Sequence, residues 1–307
     1  MRIIITGGSG LIGRELTASL AADGHEVIVL SRSPERISSL PHSARAEKWD
    51  ARTADGWGHL ADGAGAIVNL AGENLAGSGF FPTRWTPERK RLIRESRLQS
   101  GQAIVQAVEA AASKPSLVIQ SSAIGYYGVH GDETLTEEAA PGNDFLAKLA
   151  MEWEASTEPV ESMGVRRAII RTGIVLSMEG GALQRLLLPF KLFAGGPMGN
   201  GRQWYSWIHI KDVMHAIRFL IETPEVEGVF NLTAPNPLTN AALARVIGQV
   251  MKRPSFLPVP GFALRLMFGE VATVVLDGQR VLPNHLEALG FTFEFPEAKG
   301  ALRDLLN

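Results

Sequence analysis

No cysteine occurs in the 307 residues. That absence excludes disulfides, thiolate-held metals and cysteine nucleophiles. Tyrosine is scarce, with three in the chain, and two of them stand side by side as Tyr126 and Tyr127. No apolar run reaches the roughly 18 residues that a membrane helix needs. The net charge of −2 gives no electrostatic reason to expect nucleic acid or an anionic membrane as a partner. The seven histidines are scattered, so no metal-ligand spacing emerges. Fixed-period repeats and low-complexity tracts are missing as well. The opening MRIIITGG runs straight into a strand-like segment with no signal-peptide pattern, and the cytoplasm is the expected compartment.

The composition is that of an ordinary globular protein, 45% apolar and 20% charged. The length suits one large domain or two interleaved lobes. Arg2–Thr6, Glu26–Ser31, Ala66–Gly72, Ser116–Ser122 and Arg166–Gly173 are short apolar runs, as expected of strands buried on both faces. Helical patterns over Leu11–Asp23, Pro87–Ser113 and Asn143–Met163 separate them. This alternation predicts an α/β fold, a Rossmann-like doubly wound parallel sheet with a smaller C-terminal substrate lobe. The expected division is a nucleotide-binding lobe over 1–175 and a substrate lobe over 176–307, with 211–233 returning to the first lobe. A further helix is expected over Thr239–Lys252, with Thr239 as its cap and Pro254 beyond its end.

TGGSGLIG joins the first strand to the first helix. Gly8, Gly10 and Gly13 satisfy G-x-G-x-x-G, and Gly7, Gly10 and Gly13 also fit G-x-x-G-x-x-G. Glycines permit the tight turn and let the backbone approach a pyrophosphate. The helix start, at Leu11, Ile12 and Gly13, offers N–H groups to that anion. A dinucleotide site selective for NAD would carry Asp or Glu about 20 residues further on. Ser31 and Arg32 stand there instead. An arginine suits a 2′-phosphate, so NADP(H) is the expected cofactor, with Arg36 assisting. Asp50 is placed either to accept from the adenine amino group or to cap the helix that follows. Leu70, Ala71 and Gly72, small or apolar, close the fourth strand where a cofactor would cross the sheet edge.

TGGSGLIG, NLAG, SSAIGYYG, RTGIVL and WIHIKD occur in the order seen in extended short-chain dehydrogenase/reductases, the nucleotide-sugar epimerases and dehydratases. RWTPERKRLIRESR, FLAKLAMEWE, GNGRQWYSWIHIKD and GQRVLP bring the chain closer still to one subgroup. The sequence resembles the "epimerase family protein" group, often labelled a cell-division-inhibitor homologue. The resemblance spans nearly the whole chain. It implies a Rossmann-like core, NADP binding, a C-terminal substrate lobe and a cofactor contact from Arg171.

The wider superfamily works with a serine and a tyrosine four residues before a lysine. A nearby lysine lowers the tyrosine's pKa so that it can trade a proton. Four residues after the three tyrosines stand His130, Gly131 and His209. No Tyr-x-x-x-Lys exists. Aligning Lys148 with the motif lysine puts Asp144 in the tyrosine slot. Aligning Phe145 with the tyrosine puts Leu149 in the lysine slot. Ser122 matches the motif serine, or else satisfies backbone at a strand end. Tyr126 and Tyr127 are the remaining acid candidates, or else packed aromatics with wet hydroxyls. Lys148 is expected at the surface.

Arg202 and Gln203, in a glycine-flanked aromatic segment, are substrate candidates, as is Arg84 in a loop that could close over the cofactor. In the same segment Trp204 and Trp207 are expected in the core, His209 as an interior histidine and Asp212 as a helix cap. Arg89, Lys90, Arg91, Arg94 and Arg97, interleaved with Glu88 and Glu95, are expected to form a solvated helix face. The partner is thus a small molecule bearing a hydroxyl or carbonyl. The chain is either an enzyme acting on it or an NADP(H)-binding sensor or regulator without turnover.

Overall fold

The computed structural model describes residues 1–306 apart from 38, 78 and 80. Seven parallel strands form the central sheet: β1 (Arg2–Thr6), β2 (Glu26–Ser31), β3 (Ala44–Lys48), β4 (Ala66–Asn69), β5 (Leu117–Ala123), β6 (Arg166–Thr172) and β7 (Gly228–Leu232). Their order across the sheet is β7-β6-β5-β4-β1-β2-β3. The order reverses between β1 and β4, which opens a crevice at the carboxyl ends of those two strands. Register follows burial. Ile3 and Ile5 enter one core with Leu16 and Leu20, and Ile4 enters the other with Ile67, Val118 and Ile104. Alternate side chains of a strand point to opposite faces, so an unbroken isoleucine run is what a doubly covered strand requires.

Helix α1 (Leu11–Ala22) buries Gly13, Leu16, Thr17, Leu20 and Ala21, a stripe at helical spacing. α2 (Pro87–Ala110) starts at Thr86, whose side chain accepts from the Arg89 backbone N–H, with Pro87 just inside. α3 (Phe145–Ala155) is capped by Asp144, whose Oδ1 accepts from Ala147 N at 2.9 Å. The expected helix over 143–163 is therefore two pieces. The chain turns after Ala155, and Pro159 opens a separate short helix, Pro159–Ser162.

After residue 176 the chain forms α4 (Leu183–Lys191), α6 (Asn240–Met251), α7 (Gly261–Phe268) and α8 (Ala298–Leu306). Leu183, Leu187, Trp207, Leu243, Ile247 and Leu302 make a core cluster separate from those of the sheet. α5 (Ile210–Glu222) packs beside α1 over the sheet, and β7 pairs with β6 as an edge strand. Thr239 Oγ1 accepts from Ala242 N at the start of α6. The expected cap of α5 is corrected: His209 is the cap, its Nδ1 accepting from Lys211 N at 3.1 Å. Asp212, one turn in, accepts instead from Glu294 N at 2.8 Å and Phe295 N at 3.1 Å. No helix of the described residues is long and apolar enough to cross a membrane.

Candidate functional site

Two clefts lie along the carboxyl edge of the sheet. The first, about 390 Å³, is lined by Gly7, Gly10, Ser31, Arg32, Arg36, Leu70, Ala71 and Gly72 among others. Gly7 adopts φ +67°, and a Cβ there would fall 2.8 Å from the Leu70 carbonyl. A Cβ on Gly13 would fall 2.5 Å from the Gly7 oxygen and the Gly8 Cα. Backbone thus fills the space that side chains would need. Gly10 gives α1 no side-chain cap, so the N–H groups of Leu11, Ile12 and Gly13 have no partner within their own helix. Arg32 and Arg36 are exposed at the rim, and neither has an ion-pair partner among the described residues.

Asp50 sits outside this lining. Its Oδ1 accepts from Arg52 N at 2.8 Å and Thr53 N at 2.9 Å, and its Oδ2 accepts from Thr53 Oγ1 at 3.1 Å. Of its two expected roles, the carboxylate occupies the local one, closing a turn.

The second cleft, about 450 Å³, opens between α3 and the segment over 270–279. Its walls include Trp85, Phe145, Leu149, Trp153 and Trp204, with Ala123 and Thr172 at the strand ends and Asp144, Glu270 and Asp277 as acids. Arg97 also lines it. This corrects the expectation of a solvated basic face at that position. Arg91 pairs with Glu88 and Glu95, and Arg94 with Glu152, all in water, but Arg97 is 7% exposed. It falls on the buried stripe Ile93, Arg97, Ser100, Gly101, Ile104 and Val108. A charged residue on the apolar stripe of an otherwise polar helix was the signal that could have found it. Arg97 Nη1 donates to the carbonyls of Glu73 and Ile93, each at 3.0 Å. Its guanidinium stacks on Trp153 at 4.7 Å, and burial pulls its pKa down to about 10.

The three expected catalytic residues do come together, but not in either of these two clefts. Ala123 faces the second cleft, so strand alternation turns Ser122 to the opposite face. There Ser122 Oγ donates to Glu154 Oε1 at 2.6 Å. Glu154 holds Arg171 through Nε and Nη2, each at 2.9 Å. Arg171 Nη1 donates to the Tyr127 hydroxyl at 3.1 Å and to the Glu137 carbonyl at 3.2 Å. The Tyr127 hydroxyl donates to Asn231 Oδ1 at 2.7 Å, and the Arg171 guanidinium lies 3.4 Å from the centre of the Tyr126 ring. Arg171 is therefore corrected from a cofactor contact to the hub of a buried network. Burial opposes its charge, but Glu154 and Tyr127 outweigh that and hold it ionised. Burial pushes the Tyr127 phenol up, the opposite of what a proton-trading tyrosine needs.

Two of the three substrate candidates are committed elsewhere, and the third, Arg202, does not line the cleft. Arg84 donates from Nε to the Met267 carbonyl at 3.2 Å and also to that of Leu266, capping the end of α7. Arg202 is exposed, with its backbone N–H on Asn200. Gln203 Nε2 donates to the carbonyls of Met198 and Val275, each at 3.0 Å. Lys148 is at the surface, as expected. Among the described residues no group of acids and histidines could hold a metal ion.

Residues 3–233 match the model of the NAD dependent epimerase/dehydratase family, and 259–305 match a domain of unknown function, DUF1731. The chain is 39% identical over 314 residues to the epimerase family protein SDR39U1 homolog, chloroplastic, of Arabidopsis thaliana, covering 100% of this chain and 87% of that protein. The crystal structure of human epimerase family protein SDR39U1 (isoform 2) with NADPH superposes with a TM-score of 0.88 at 34% identity, over 99% of each chain. A UDP-glucuronic acid 4-epimerase from Bacillus cereus, solved with UDP-glucuronic acid and NAD, shares the fold with a TM-score of 0.77 at 14% identity, over 99% of this chain and 98% of that one.

Proposed function

The chain belongs to the NAD dependent epimerase/dehydratase family, and from that premise we propose that it binds NADP(H) and acts on a small hydroxyl- or carbonyl-bearing substrate in the second cleft. The observation that carries this reading is the glycine cradle beside Arg32, an arginine with no ion-pair partner among the described residues, where β2 ends on Ser31 rather than on a carboxylate. The human relative solved with NADPH supports it.

The residues present fit the cofactor. Backbone at Gly7 and Gly10 and the free N–H groups of Leu11, Ile12 and Gly13 receive the pyrophosphate. Arg32 meets the 2′-phosphate, with Arg36 beside it. Leu70, Ala71 and Gly72 keep the edge of β4 low enough for the cofactor to pass toward the second cleft. Bound there, the cofactor supplies or accepts a hydride. Trp85, Phe145 and Trp153 keep bulk water from the substrate. With Ser122, Tyr126 and Tyr127 turned into the buried network, proton transfer falls to a cleft water, and Asp144 is the carboxylate placed to hold it.

Binding without turnover is the second reading. It is favoured by one observation: no tyrosine or lysine is among the described residues lining the cleft. Loss of NADPH absorbance across a panel of carbonyl compounds and sugar nucleotides separates the two. Arg32→Asp tests the cofactor assignment. We expect NADP affinity to fall at least about tenfold relative to NAD, measured by titrating both forms. An unchanged NADP/NAD ratio sinks it.

A further inference from the structure

Resting on the assignment of the second cleft as the substrate site, we infer that its ligand is a small, singly anionic compound with an apolar or aromatic body, gripped by Arg97, and not a nucleotide diphosphate sugar. Arg97 is more than nine-tenths buried and lines the cleft. Among the described residues its only hydrogen bonds are from Nη1 to two backbone carbonyls. Nε and Nη2 donate to no group among the described residues. The Glu73 carboxylate, whose charge acts on Arg97, is itself paired with Arg89 at 2.8 Å. Glu73 offsets only part of the burial of this guanidinium, and an anion entering the cleft would offset more of it and gain a charge-assisted, two-pronged bond.

The remaining charges set the limit of one. Asp144, Glu270 and Asp277 also line the cleft. Lys90 and Arg265 already pair with Glu270 and Asp277. Those two cations are thus committed, and a pyrophosphate would find one arginine to hold its charge, with Asp144 as an unpaired carboxylate in the same cleft. Trp85 and Trp153 instead offer flat apolar walls, with Trp153 already against the guanidinium. They suit a planar or hydrocarbon body more than a sugar.

Isothermal titration calorimetry tests this with phenylacetate, its neutral amide phenylacetamide, and UDP-glucose, on the NADPH-saturated protein and on the protein alone. Phenylacetate should bind at least about tenfold more tightly than the amide and more tightly than UDP-glucose. Arg97→Met should level the acid and the amide, while Arg97→Lys keeps part of the preference. Melting curves check that both variants fold. Equal binding of acid and amide to the unaltered protein overturns the inference. So do tighter binding of UDP-glucose, no heat from phenylacetate at millimolar concentration, or an acid preference that survives Arg97→Met. Failure to bind NADPH would sink the cofactor reading alone, because the acid preference is also read on the protein without cofactor.

Discussion

Arg171 shows how a residue chosen for function can turn out to be a structural hub. The residue is 3% exposed, and its charge is met bidentately by Glu154. Ser122 gives Glu154 a further hydrogen bond, and Tyr127 links the pair to Asn231 on β7. The pair is thus satisfied, and breaking one side leaves an uncompensated buried charge. Glu154→Gln should destabilise the protein by about 3–5 kcal/mol. Ser122→Ala, which removes one donor and leaves the ion pair, should cost about 1 kcal/mol and leave NADPH affinity unchanged. Urea unfolding and an NADPH titration read both. A Ser122→Ala protein of full stability but without activity would return Ser122 to catalysis. These roles were not visible in the sequence, because Ser122 and Ala123 are neighbours and only the strand's phase decides which faces the cleft.

At the scale of elements, the junction of β1 and α1 is the most sequence-determined part of the site. It needs glycine at Gly7 for its positive φ and at Gly13 for the close approach of backbone, so both show as letters in a row. Gly13→Ala would drive a methyl to 2.5 Å from the Gly7 oxygen. We expect it to weaken NADPH binding at least about tenfold and to destabilise the fold by about 1–3 kcal/mol, seen together in a titration and a melting curve. Normal NADPH affinity in that variant would remove the loop from the cofactor site. The strands were legible for a similar reason, since burial on both faces writes continuous apolar runs. The second cleft was not. Its lining runs from Leu75 to Gln279 and is gathered from several loops and helices, so no local spacing announces it. Arg97 is the exception, betrayed by its phase on α2.

Over the whole molecule, the segment from Trp207 to Leu232 runs back from the C-terminal core cluster to the central sheet. Trp207–His209 pairs with Ile174–Leu176, α5 then packs on α1, and β7 completes the sheet. His209 stands where this segment meets the C-terminal helix. It is fully buried, its Nδ1 caps α5, and its Nε2 lies 3.3 Å from Asp304 Oδ2 on α8. Burial lowers its pKa from 6.5 to about 4, with Asp304 opposing and Lys211 assisting. The unfolded chain therefore binds a proton between pH 6.5 and 4 that the folded chain refuses. The histidine's contribution is complete above pH 6.5 and is lost as the pH falls toward 4, by about 3 kcal/mol in all. His209→Asn keeps a cap acceptor and removes the titration. Unfolding free energies of both proteins, measured from pH 7 to 4, should fall more steeply for the unaltered chain, and the gap should open below pH 6.5. Carboxylates elsewhere titrate equally in the two and cancel in the difference. Parallel curves would mean that Asp304 fully offsets burial and leaves the folded pKa at its unfolded value, and a shallower fall for the unaltered chain would mean that Asp304 outweighs burial.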